Sequence, residues 1–173
     1  RFALVDFSNS SNPQVTTHHP QLGGSPTVDA DPATGRIVVG NSQSGIVKLY
    51  DANLNQIGGQ VNTQLPSVDF IALSGQLALA GSINSFQVAR INFSANPPAV
   101  TKFNPQTGGG NSVALKGTTG VCGAYVGSQR VKLVNLAPSQ PNVTGTLQNA
   151  GIASISTIGI SEFQTTLPQQ PGF

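Results

Sequence analysis

Three features of the sequence predict an all-β fold, a β-propeller of four-stranded blades. A short plan recurs along the chain: an apolar run ending in Asp6-Phe7, a polar turn holding Asn12-Pro13, and a second apolar run from Val15. Its copies begin at residues 2, 46, 86 and 131, at intervals of 44, 40 and 45 residues. That interval suits one four-stranded blade. A glycine-bracketed apolar run precedes each later copy: GRIVVGNS from Gly35, GQLALAGS from Gly75 and GVCGAYVGS from Gly120. Glycine belongs at such flanks because the turns need positive φ or a close backbone approach. Finally, no helical period survives for more than two turns.

Residues 2–7 and 15–18 read as two strands, and LGGSP at 22–26 breaks the chain before the first complete unit. That unit reads as strands at 27–30, 36–39 and 46–50, with a weakly marked fourth inside 56–61, where Gly58-Gly59 points to a bulge. The second unit places strands at 68–73, 76–80, 86–92 and 99–103. The third places them at 112–115, 121–126, 130–136 and 142–147.

Second strands are nearly continuous in apolar residues, as strands buried on both faces are. Ile37, Val39, Leu77, Leu79, Cys122, Ala124 and Val126 are therefore the expected core. Third strands alternate more, Val47 and Leu49 against Lys48 and Tyr50, and are expected to lie partly exposed, farther from the axis.

The two ends read as parts of one blade. The chain opens on a third and a fourth strand, while 152–155 offers a fresh first strand and 157–163 a second. Pairing residues 2–7 with 157–163 would close a ring and hide its edges. The domain reading is propeller repeats over 1–163, with a linker or tail over 164–173. Within it, 1–24 and 151–163 are partial blades, and 25–65, 66–110 and 111–150 are whole ones. About four blades is a small ring. A monomer, a homodimer completing a ring and an excerpt of a larger ring all stay open.

Composition narrows the function. Only 8% of the 173 residues are charged, and the net charge is +2. The eight basic residues are spread from Arg1 to Lys132 without a cluster, which argues against nucleic acid. Neither a membrane span nor a signal peptide is visible. Cys122 is the one cysteine and excludes an intrachain disulfide; inside an apolar run it reads as a small buried hydrophobe. Asn, Gln, Ser and Thr carry the polarity that Lys and Glu usually carry, which leans toward an extracellular or cell-surface setting. The sequons at Asn9, Asn92 and Asn142 match the frequency that the Asn, Ser and Thr content gives by chance, and decide nothing.

The turn-and-strand plan resembles the LVIVD-type repeat of secreted and surface propellers in bacteria and archaea. The resemblance rests on ALVDFS at 3–8 with Asn12-Pro13, and on VARINFS at 88–94 with Asn96-Pro97. Asp6 and Asp51 keep the acidic position of that repeat, whereas Asn92 and Asn135 stand there in later copies. The resemblance implies a propeller and an extracellular setting, and it transfers no catalytic residue.

Candidate sites are few. Asp29 and Asp69 follow Thr-Val and Ser-Val on first strands, the strands that line a propeller's channel. Two carboxylates there would hold a metal ion, or would accept hydrogen bonds that orient their blades. His18 and His19 are neighbours, and on a strand they point to opposite faces, which does not chelate. Gly108-Gly109-Gly110-Asn111 lacks the lysine and the helix of a phosphate loop. Nucleophile triads need a base beside a nucleophile, and the scattered acids and histidines offer none. The expectation is a non-catalytic module that binds a protein or glycan, without cofactor. An enzyme domain with channel carboxylates around a metal is the other class.

Overall fold

The computed structural model describes residues 1–6, 11–124 and 131–147. Among these residues there are fourteen strands and no helix, so none is long and apolar enough to cross a membrane. An N-terminal pair, β1 (Phe2–Asp6) and β2 (Gln14–His18), is followed by three four-stranded antiparallel meanders. Blade one is β3 (Pro26–Asp31), β4 (Arg36–Asn41), β5 (Ser44–Tyr50) and β6 (Gln56–Asn62). Blade two is β7 (Phe70–Ser74), β8 (Leu77–Gly81), β9 (Val88–Asn92) and β10 (Ala99–Phe103). Blade three is β11 (Asn111–Lys116), β12 (Thr119–Ala124), β13 (Val131–Asn135) and β14 (Asn142–Leu147). β7 packs against both β3 and β11, so first strands stand side by side nearest the axis.

The core lies between blades. Val38, Val47, Leu49 and Leu65 of blade one and its crossover meet Val68, Ile71, Ala80 and Ile91 of blade two. Leu79 and Val88 of blade two meet Val113, Cys122, Val134 and Leu136 of blade three. Phe2 and Leu22 close over Ile37, Val39 and Tyr50 on the other side of blade one.

Turn chemistry explains why the strands end where they do. Asp51, Asn92 and Asn135 each close a third strand, and each side-chain oxygen accepts a backbone N–H two residues on. The acceptor distances are 2.9 Å to Asn53, 3.0 Å to Ser94 and 3.0 Å to Ala137. Such a turn needs an oxygen acceptor and no charge, so Asp and Asn alternate freely there. The same bond forms after fourth strands, from Gln64 to Asn62 at 2.8 Å and from Gln106 to Asn104 at 2.7 Å. The expected bulge is present as well: the β5–β6 register shifts between Val47 and Leu49, beside Gly58 at φ +68°.

Four expectations need correction. Third strands in blades one and two are mostly buried, with Val47, Leu49, Tyr50 and every residue from Val88 to Ile91 in the interior, because blades cover both faces of blade two, and blade two with Phe2 and Leu22 covers those of blade one. Leu77 is half-buried, since it opens β8 next to the Gly75-Gln76 turn. The blade-three turn sits at Gly117-Thr118, with Gly117 at φ +57°, and Gly120 lies inside β12. A Cβ on Gly120 would come within 2.8 Å of Val134 Cγ2 and 3.0 Å of Leu79 Cδ2, so glycine is required there for packing. Phe86 precedes β9 and lies outside its ladder. Val126, the strands at 152–155 and 157–163, and the tail at 164–173 fall outside the described residues.

Candidate functional site

A four-stranded meander has two edges. Turns between first and second, and third and fourth, strands lie on one; loops between second and third strands and the blade crossovers lie on the other. On the crossover edge of blade two, residues 82–87 join β8 to β9. Two large apolar side chains stand out from this loop, Ile83 at 39% exposure and Phe86 at 62%.

A chain of hydrogen bonds, anchored on buried side chains, holds the loop. Asp69 Oδ2 accepts the Ser67 hydroxyl at 2.6 Å and the Ile83 N–H at 3.0 Å. With its proton committed to the carboxylate, the Ser67 oxygen accepts from Ser82 Oγ at 2.7 Å. Ser82 Oγ in turn accepts the Asn84 N–H at 3.1 Å. On the far side, Asn111 Nδ2 donates to Ser85 O at 3.1 Å, while Asn111 Oδ1 accepts the Thr107 hydroxyl at 2.6 Å. Ser67, Ser82, Thr107 and Asn111 are all buried. A network satisfied in this way fixes one loop conformation, so little ordering entropy remains to be lost on binding.

Asp69 therefore serves the loop. Asp29 serves a blade joint: its Oδ2 accepts the Leu73 N–H of blade two at 2.7 Å. The register separates the two residues, because Asp29 sits within β3 opposite Val38 whereas Asp69 precedes β7. Among the described residues, no group of three or more His, Cys, Asp or Glu stands close enough to hold a metal ion. Both carboxylates accept backbone N–H groups, Asp29 across a blade joint and Asp69 within its own blade.

Asp31, a turn residue by sequence, makes a second joint. Its Oδ2 accepts the Gly75 N–H across the blade boundary and its Oδ1 accepts the Ala33 N–H at 2.9 Å. The bond from Gly75, supported by Ala33 and Thr34, holds the carboxyl below its ordinary value against the opposing effect of desolvation.

The remaining candidates have structural roles. His18 packs edge-on against Tyr50, with ring centroids 4.9 Å apart, and lies 5.4 Å from Phe2. His19 Nδ1 accepts the Gln21 N–H at 3.2 Å. Together the two histidines border a hollow of about 230 Å³ with Lys48, whose Nζ donates to Pro20 O at 2.9 Å. Cys122 is fully buried, and desolvation pushes its thiol up to about 12. Asn111, the last residue of the glycine run, opens β11 and braces the 82–87 loop.

Sequence reasoning missed Ile83, Phe86 and Arg90. A signal existed for the first two: each is an isolated apolar residue inside the polar stretch SINSFQ. Arg90 is the one charged residue of its strand, VARIN.

No protein-family model matches this chain, and no curated protein matches it. Solved structures do. A chain in a crystal structure of the mitotic checkpoint complex aligns with a TM-score of 0.64 at 12% identity, over 85% of this chain and 46% of that one. The β-propeller domain of Cps50 (Swd1) from Myceliophteria thermophila aligns with a TM-score of 0.57 at 11% identity, over 75% and 41%. The fold is a β-propeller. The chain spans less than half of each of these structures, and identities this low establish the fold alone.

Proposed function

We propose that this propeller is a non-catalytic module that binds a protein partner through the crossover edge of blade two. The observation that carries this reading is the pairing of exposed Ile83 and Phe86 with a loop anchored by hydrogen bonds to the buried Ser67, Ser82 and Asn111 and to Asp69. Rigid aromatic anchors surrounded by polar groups are what dominate protein interfaces. The flanking Asn84, Ser85 and Gln87 are neutral, so the matching surface is an apolar patch with hydrogen-bonding neighbours and little charge. An extracellular or cell-surface setting belongs to the same proposal. It is supported by the polar, uncharged composition and by the resemblance to LVIVD-type repeats.

A photo-crosslinking residue at position 86, and separately at 52 on the turn edge, tests the reading against secreted and envelope proteins of the source cells. The expected result is a discrete product from position 86 that disappears with Ile83→Asp and does not form from 52. Equal products from both edges, or a product indifferent to Ile83→Asp, would overturn it.

A further inference from the structure

The opposite edge carries a separate feature, a groove of about 550 Å³ between blades two and three. Arg90 forms part of its wall and is only 7% exposed. A guanidinium buried to that extent normally faces a carboxylate, because desolvating an unpaired charge is costly. Here no Asp or Glu borders the groove. Arg90 Nε donates across the blade boundary to Leu136 O at 2.8 Å, and that bond sets the plane of the guanidinium. Among the described residues the one sealed-in side-chain nitrogen or oxygen without a partner is Arg36 Nη1. Arg90 lines the groove, and among the described residues no acceptor engages its Nη1 or Nη2.

Neutral hydrogen-bonding groups surround this cation: Ser74, Gln76, Asn92 and Thr118, with Ala137 at the rim. Ser74 Oγ accepts the Gly117 N–H at 2.8 Å, which fixes one wall. Asn92 Oδ1 is occupied by Ser94, whose N–H and hydroxyl donate to it at 3.0 and 2.7 Å, so the free part of that side chain is its NH₂ donor.

We propose that the groove binds a carboxylate flanked by hydroxyl groups, the chemistry of a uronic-acid sugar. Two parallel N–H groups of a fixed guanidinium match two carboxylate oxygens, a geometry that lysine cannot supply. One cation with neutral neighbours suits a monoanion, whereas a phosphate dianion is served by several cations or a nest of backbone N–H groups. The surrounding hydroxyl and amide groups match sugar hydroxyls. This site is independent of the crossover edge, so its success or failure leaves the protein-binding reading untouched.

The test is titration of the whole chain with glucuronate, followed by amide chemical shifts, with glucose and inorganic phosphate as parallel probes. Saturable shifts around Arg90 are expected, with a Kd on the order of 1 mM, as befits one bidentate pair. Glucose should give none. Arg90→Lys should weaken glucuronate at least about tenfold, since it keeps the charge and loses the fork. Ala137→Trp adds bulk at an exposed position of the lining and should abolish binding while the melting temperature holds. The proposal is overturned by non-saturating shifts, by phosphate binding tighter than glucuronate, or by unchanged affinity in folded Ala137→Trp.

Discussion

Leu49 and Leu133 occupy the same place in two blades, two residues before the residue that closes the third strand, Asp51 or Asn135. Leu49 packs into the cluster shared with blade two, whereas Leu133 lies outside the cluster that joins blade three to blade two. Leu49 is 3% exposed because blade two covers it, while Leu133 is 45% exposed at the outer face of blade three. Arg90 holds the equivalent position in blade two, buried under blade three with its Nε reaching Leu136 O. Burial in a propeller is thus a property of the joint between repeats, and one strand pattern serves a covered face and an open one.

The largest effect expected from this contrast is in stability. Leu49→Ala should cost about 2–5 kcal/mol in a urea titration, as truncations inside a packed core do. Leu133→Ala should cost less than about 1 kcal/mol, as surface changes do. Equal losses would mean that a further blade, from this or another copy, covers Leu133 in solution. That result would replace an open face by a third joint.

Removing charge at a blade joint comes next. Asp31→Asn should lower stability by about 1 kcal/mol at neutral pH, the order of one hydrogen bond. The carboxyl is held below its ordinary value in the folded state, so its contribution is present above that value and is lost as pH falls through the folded pKa. Wild-type stability should therefore decline in acid more steeply than that of Asp31→Asn. Parallel pH profiles of melting would show that Gly75 does not depend on the charge.

A smaller effect separates acceptor from charge at the third-strand turns. Asn135→Asp should change stability by less than about 0.5 kcal/mol, whereas Asn135→Ala should cost about 1 kcal/mol by losing the Ala137 N–H. The smallest effect is kinetic. Cys122, protonated and sealed between blades two and three, should be inert to a thiol reagent until the protein unfolds. Prompt labelling of the native protein would show that this joint opens.

The legible part of the fold followed from local chemistry. β10 and β14 begin and end where the turn residues on either side of them imply, at Ala99–Phe103 and Asn142–Leu147. The position shared by Asp51, Asn92 and Asn135 was visible as a repeat because its cause, a hydrogen bond two residues long, is local. What stayed hidden depends on partners one repeat away. Gly120 looks like a turn glycine until Leu79 of the neighbouring blade is seen against it. Phe86 continues the alternation of Val88 and Arg90 although its strand has not begun. Asp69 resembles Asp29 in sequence, yet its donors are Ser67 and Ile83 at a loop, while the donor to Asp29 is Leu73 across a joint.

The backbone N–H bonds across the joints also have a direction, opposite to that of the side-chain bond from Arg90 to Leu136 O. Leu73 and Gly75 of blade two donate their backbone N–H groups back to Asp29 and Asp31 of blade one. Gly117 of blade three donates back to Ser74 of blade two, and Val68 and Asn111 donate back to Asn41 O and Ser82 O. In each case the acceptor belongs to the part of the chain that a ribosome delivers first. A blade emerging during synthesis meets its acceptors already in place on the one before it, and N-terminal units fold first in that setting. For these backbone bonds the order of translation and the order of structural dependence coincide, so the growing chain carries part of its own template for the next blade.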